Sequence, residues 1–172
     1  GTTNINIVSG TFADLELGDG NNQVHTVNHT AGDVTVTHDA RFGHWGGETS
    51  VYNISGGSLN QPDTVTSPTD EAQANLMLGI DGSGILNISG TGEVNTTSLV
   101  VNGRSNGNNN GEDALNITGG RLNLGKWGMR NGGVPYAVNF GGGTVGASAN
   151  WNSSLAISLT GTGGDTTFDT LD

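Results

Sequence analysis

"YNISGGSL", residues 52–59, decides the fold. The polar Asn53 stands between the apolar Tyr52 and Ile54, the alternation of a half-buried strand, and Ser55-Gly56-Gly57 ends it in a turn. The phrase returns as "LNISGTGEV" from Leu86, "LNITGGRL" from Leu115 and "VNFGGGTV" from Val138. A worn copy, "VNHTAGDV", starts at Val27, and "INIVSGTF" from Ile5 reads as the first. The anchor asparagines are Asn6, Asn28, Asn53, Asn87, Asn116 and Asn139, spaced by 22, 25, 34, 29 and 23 residues. Such uneven spacing excludes a rigid helical-repeat array. It suits laps of constant core joined by loops of variable length.

Each anchor is followed by a glycine-rich turn and then an apolar residue: Phe12, Val34, Leu59, Val94, Leu122 or Val145. A further apolar run follows in most copies, "LELG" at 15, "ARFG" at 40, "LMLG" at 76, "LVVNG" at 99 and "KWGM" at 126. Each copy thus supplies three short strands. Stacked in parallel they form an all-β solenoid of about six coils, each advancing ~4.8 Å. One lap cannot bury its apolar face alone, but its neighbours can cover it. Equivalent asparagines then stack, each amide bonding to the next. One exception to the β pattern is "SPTDEAQAN", residues 67–75 within the 61–75 insertion. Ser67 as cap, Pro68 at the first position and acids in the first turn predict one short helical turn there.

Composition bounds the rest. The 172 residues suit one domain, hydrophobic residues are only 32 %, and Gly numbers 31, so the core is thin and repetitive. There is no cysteine, hence no disulfide framework or thiolate metal site. No apolar run approaches membrane-spanning length. The chain begins "GTTN", without Met or signal peptide, and stops at "FDTLD" without an obvious cap. These features set the expectation of a single β-helix module, residues 1–172, within a larger multidomain protein that is secreted or on the cell surface. The net charge of -11 disfavours nucleic acid, anionic lipid and polyanionic substrates as partners and favours a neutral one.

"LNISGTGEVNTTSLVVNG", "LNITGGRLNLG" and "VNFGGGTVGASANWNSSLAISLTGTGG" resemble the autotransporter-associated β-strand repeats of large bacterial surface proteins. The resemblance covers most of residues 50–172 and is weaker before them. It implies a right-handed parallel β-helix; periodicity alone gives no hand. Similar β-helical modules accompany plant cell-wall hydrolases as carbohydrate-binding modules, including on xylan. The resemblance therefore implies either polysaccharide binding beside an attached catalytic domain or a structural stalk or adhesin segment.

The third strand of each repeat gathers the unusual residues. Its rows align as Leu17-Gly18-Asp19-Gly20, Phe42-Gly43-His44-Trp45, Leu78-Gly79-Ile80-Asp81, Val101-Asn102-Gly103-Arg104 and Trp127-Gly128-Met129-Arg130. Of five basic residues, Arg41, Arg104, Lys126 and Arg130 fall in this segment, as do Trp45, Trp127, His44, Met77 and Met129. The alignment places Arg41 in a row like Lys126's, and Trp45 and Trp127 on one face three coils apart. A polysaccharide fits such a face: indoles stack on the C–H side of a pyranose while Arg41, His44, Asp81, Arg104, Lys126 and Arg130 bond its hydroxyls. The competing expectation is that Trp127 and Phe42 point inward and the charges only solvate the sheet.

Other patterns carry less. His25, His29, His38 and His44 fall within twenty residues but lack a zinc spacing. Asp39 beside His38 could orient its imidazole, though no serine nucleophile follows in a known pattern. "GIDGSG" from 79 and "NGNNNGED" from 106 are oxygen-rich, so a structural calcium is the one ion considered, against a cofactor-free reading. Six Asn-x-Ser/Thr sequons, at Asn28, Asn53, Asn87, Asn95, Asn116 and Asn152, include four anchors, so the repeat explains them better than glycosylation. Glu112 and Asp113 are adjacent on one loop and cannot act as glycosidase carboxylates across a cleft. A lyase-like set, Arg104, Lys126 or Arg130 with Asp81, would suit an anionic substrate. The expectation is therefore a non-enzymatic module. Trp151, with "LAISL" from 155 and "TTFDT" from 166, is read as core packing of a final coil.

Overall fold

The computed structural model describes residues 2–7, 9–18, 20, 22–62, 76–101, 113–133 and 135–170. The first repeat holds β1 (Thr2–Ile7), β2 (Gly10–Phe12) and β3 (Leu15–Leu17). The second holds β4 (Val24–His29), β5 (Asp33–Val36) and β6 (Ala40–Phe42), and the third β7 (Thr49–Ile54), β8 (Ser58–Asn60) and β9 (Leu76–Leu78). Next come β10 (Ser83–Ile88) and the continuous strands β11 (Glu93–Val101), β12 (Asp113–Asn131) and β13 (Tyr136–Ala147). Two short strands, β14 (Ser158–Leu159) and β15 (Thr166–Asp169), end the series. Among the described residues there is no helix. The helical turn expected at 67–75 lies outside the described residues.

Every strand pair is parallel, and each repeat pairs with the next, so the chain winds in laps. The arrangement is consistent with a β-solenoid. A first ladder joins β1, β4, β7, β10 and the starts of β12 and β13, ending at β14. A second runs from β2 through β5, β8, β11, β12 and β13 to β15. A third joins β3, β6, β9 and the ends of β11 and β12.

The six anchor asparagines are in register, Asn6 to Asn28, Asn53, Asn87, Asn116 and Asn139. From Asn28 onward their side chains form an outward-facing, half-buried file. The Nδ2 of Asn53 donates to Asn28 at 2.9 Å, and Asn87, Asn116 and Asn139 each repeat the bond to the lap before at 2.8, 2.9 and 2.9 Å. A second file runs from Asn123 to Asn95 to Asn60 at 2.7 and 2.8 Å. A strand carries asparagine at these points because a carboxamide both donates and accepts, so identical copies one strand spacing apart satisfy each other.

Inward positions stack likewise. Val27, Tyr52, Leu86, Leu115 and Val138 form one file, and Ile54, Ile88, Ile117 and Phe140 another, all nearly without solvent contact. Leu59, Val94, Leu122 and Val145 follow Val34 on the second ladder as the repeat predicts. Phe12 does not: it pairs with Val36, and Gly10 takes the place opposite Val34. Burying each such aliphatic or aromatic side chain stabilises the fold by about 1.5–3 kcal/mol relative to exposure.

His29 occupies the isoleucine file and is fully buried. Its Nε2 lies 3.0 Å from the Gly32 carbonyl, which only accepts, so Nε2–H donates. Nδ1, 3.0 Å from the Tyr52 oxygen, then accepts the hydroxyl in the neutral ring. Burial pushes the Tyr52 hydroxyl well above its ordinary pKa, and the phenol ring stacks on Phe42 at 4.9 Å and 6°. Tight lap spacing also requires glycine. At Gly57, φ 75°, a β-carbon would stand 2.1 Å from the Gly32 carbonyl oxygen.

The final strands keep the register, Phe140 to Leu159 and Val145 to Phe168, but not the burial expected of them. Leu159 is 69 % and Phe168 55 % exposed, since no described strand packs beyond them.

Candidate functional site

Loop length differs between laps mainly at the two corners flanking the third ladder. Between the second and third ladders, β11 turns with Thr97 alone, whereas β12 needs Gly125, Lys126 and Trp127 between the registered positions 124 and 128. Two extra residues must leave the ladder, so Lys126 and Trp127 protrude as a bulge. Gly125 permits the bulge: a β-carbon there would stand 2.8 Å from the Thr97 α-carbon. The next lap passes this corner without forming a strand, and its Trp151 lies against Gly128.

A cleft of about 350 Å³ opens between these two passages, lined by Lys126, Trp127, Arg130, Asn150, Trp151 and Asn152. The Lys126 Nζ stands 5.7 Å over the Trp127 ring, close enough for cation–π attraction. Trp151 is half-buried and packs on the core with one face, leaving its other side to the cleft. Arg130 extends from β12, and its guanidinium donates to the Ser98 Oγ at 2.7 Å. Its buried Nε has no hydrogen-bond partner. Desolvation holds the group below the ordinary arginine pKa, and no carboxylate lies within ion-pair distance of it among the described residues. A neighbouring hollow of about 260 Å³, lined by Val145, Trp151, Phe168 and Asp169 among others, extends the groove toward β15.

The remaining expected residues divide between other places. The register puts Asn131, not Trp127, in line with Phe42, Leu78 and Val101. Arg41 therefore shares its outward row with Glu16, Met77, Val100 and Arg130, not with Lys126. Alignment by "ARFG" and "KWGM" overlooked the bulge, which shifts the fifth lap. Trp45 follows the third ladder and Trp127 precedes it, so the two indoles stand at opposite ends of that ladder instead of in one column. Arg104 lies outside the described residues.

Trp45 belongs to a second, acidic patch. Trp45 is 49 % exposed, and its ring stacks on His44 at 4.6 Å between centroids. The turn bearing it is held by the buried Glu48, whose carboxylate accepts the backbone N–H groups of Trp45 and Gly20, each at 3.0 Å. His44 Nδ1 approaches Glu16 at 3.3 Å. Arg41 pairs with Glu16 at 2.5 Å and with the buried Asp39, so it is engaged within the fold. Asp81 sits in the turn after β9, its carbonyl oxygen 3.7 Å from where a Gly46 β-carbon would stand.

Asp14, His38 and Asp39 bring potential metal-ligand atoms within 4.8 Å of one another. His38 Nδ1 is 2.7 Å from Asp14, which orients it more closely than Asp39 does at 3.4 Å. Arg41 already balances Asp39. In the "GIDGSG" loop the buried Asp113 carboxylate covers Gly79 and accepts the Gly84 N–H at 2.8 Å. A carboxylate of the chain thus meets the backbone donors of that loop.

Trp151 was read from the sequence as core packing, Asn152 only as a sequon, and Asn150 was not singled out, yet the three form half of the cleft. The mark of the site is the extra length of "GKW" against the single Thr97 of the lap before, which shows only once the pairing is known. No protein-family model matches the chain, and neither a curated protein nor a solved structure matches it significantly.

Proposed function

We propose that the chain is a non-catalytic polysaccharide-binding module whose site is the cleft of Trp127 and Trp151. The observation that carries this reading is the pairing of two indoles, two carboxamides and two cationic side chains in one open groove. Indole faces suit the apolar side of a pyranose, and amides and guanidinium suit its hydroxyls. The described lining has no carboxylate pair of the kind glycoside hydrolysis needs. A plant cell-wall xylan or β-glucan is the substrate class, and the benefit to an attached hydrolase is effective concentration on an insoluble substrate. The winding is taken as a β-helix of about six coils, right-handed as the resemblance to autotransporter-associated repeats implies, and as a module of a larger secreted or surface protein. Trp45, with His44 and Asp81, is assigned to a separate, weaker contact.

Affinity electrophoresis against xylan, mixed-linkage glucan, cellulose and pectin tests this. Xylan or glucan should retard the wild type, and Trp127→Ala and Trp151→Ala should each weaken retardation at least tenfold. Trp45→Ala should weaken it by about threefold or less. Unretarded wild type, or two cleft variants indistinguishable from it, would remove the reading.

A spacer or stalk is the second reading, favoured by the two asparagine files and continuous core, which stiffen a rod without any ligand. It predicts no saturable sugar binding.

A further inference from the structure

The charges of the cleft refine the ligand, an inference that rests on the sugar-binding reading. The chain carries 16 acidic and 5 basic residues. Arg41 is bound by Glu16 and Asp39, and Arg121 by Asp169 at 2.5 Å and by Asn123 at 2.6 Å. Arg130 differs: its described partner is a hydroxyl, one of its N–H groups is buried without an acceptor, and it faces the cleft. Lys126 lines the same cleft. A strongly acidic protein thus keeps a locally cationic groove between two indoles. Partly desolvated guanidinium groups gain most from an anionic acceptor, and the planar fork fits a carboxylate. Neutral hydroxyls would satisfy its hydrogen bonds but not its charge.

We propose that the cleft selects a neutral sugar chain bearing isolated uronic acid substituents, with Arg130 pairing to the uronate carboxylate while Trp127 and Trp151 stack on neighbouring rings. Isolated substituents, and not a polyuronate, follow from the surroundings. Screening over ~8 Å lets the contacting groups decide for one carboxylate. A dense polyanion would extend beyond the cleft into the field of the -11 chain.

The test compares three polymers by affinity electrophoresis and titration calorimetry: glucuronic-acid-substituted xylan, the same xylan with its carboxyls reduced to alcohols, and polygalacturonate. Wild type should bind the native xylan roughly five- to tenfold tighter than the reduced form, with the preference shrinking in high salt. Polygalacturonate should bind least. Arg130→Gln should bind native and reduced xylan equally while still binding both. Lys126→Gln, on the exposed bulge, provides a second variant that should narrow the preference without affecting the core. Equal binding of native and reduced xylan by wild type overturns the inference and leaves the sugar-binding reading standing. So does an Arg130→Gln protein that keeps the preference, or tighter binding of polygalacturonate. Failure to bind any of the three overturns both.

Discussion

Trp151 lies so close to Gly128 that a β-carbon on the glycine would stand 2.8 Å from the indole Cε3 and 3.1 Å from its Cβ. The segment bearing Trp151 is thereby seated on β12 at the point where the cleft forms. Gly128 also has φ 58°, a left-handed conformation. Gly128→Ala should lower stability by roughly 1–2 kcal/mol and displace the indole. Expected readouts are a shifted tryptophan emission spectrum and weakened retardation by xylan. An unchanged spectrum would separate the glycine from the indole's position.

The asparagine files predict a position-dependent cost. Asn87 donates to Asn53 and accepts from Asn116. Asn139 donates to Asn116, and the next lap offers Ser158 at the registered position. Asn87→Ala should therefore cost about 1–2 kcal/mol and Asn139→Ala roughly half of that. Urea denaturation checks the ranking, with the m-value unchanged.

Tyr52→Phe keeps the ring that stacks on Phe42 but deprives the buried His29 Nδ1 of its donor. A buried acceptor left unmet costs about 1–3 kcal/mol. The double variant Tyr52→Phe with His29→Leu restores an apolar file and should recover most of the loss, which a double-mutant cycle measures.

Acid should loosen the corner at Asp14. The His38 hydrogen bond, then that from the Asp39 N–H, hold the Asp14 carboxyl below its ordinary value of 3.8. A depressed folded-state pKa stabilises the fold above the unfolded value, and the contribution is lost as pH falls below 3.8 toward the folded value. Both side chains of the pair are about half exposed, so the effect is small. Thermal melts between about pH 5 and pH 3 should show a steeper loss of melting temperature for wild type than for Asp14→Asn.

The ladders were readable because strand alternation and an in-register polar anchor both repeat. Asn53, Asn87, Asn116 and Asn139 mark their laps without ambiguity, and the apolar neighbours on either side inherit the register. Reading failed where a lap carries residues that its neighbours lack. Trp127 was aligned with Phe42 because nothing in "KWGM" reveals that Lys126 and Trp127 leave the ladder; Thr97 in the lap before supplies that measure only once the pairing is known. Phe12 was misplaced by two residues for the same reason. Trp151 could not be assigned to a cleft from sequence, since its partner Gly128 is distant in the chain and its lap forms no strand there. Arg130 was found as a basic residue, but its lack of a described acidic partner is a property of the folded neighbourhood.

The turn between the first and second ladders stays three or four residues long from β4–β5 through β10–β11, while the corners beside the third ladder absorb single residues and a fifteen-residue stretch alike. Mutation and selection can therefore rewrite recognition on one side of the molecule without renegotiating the hydrogen-bond lattice on the other two.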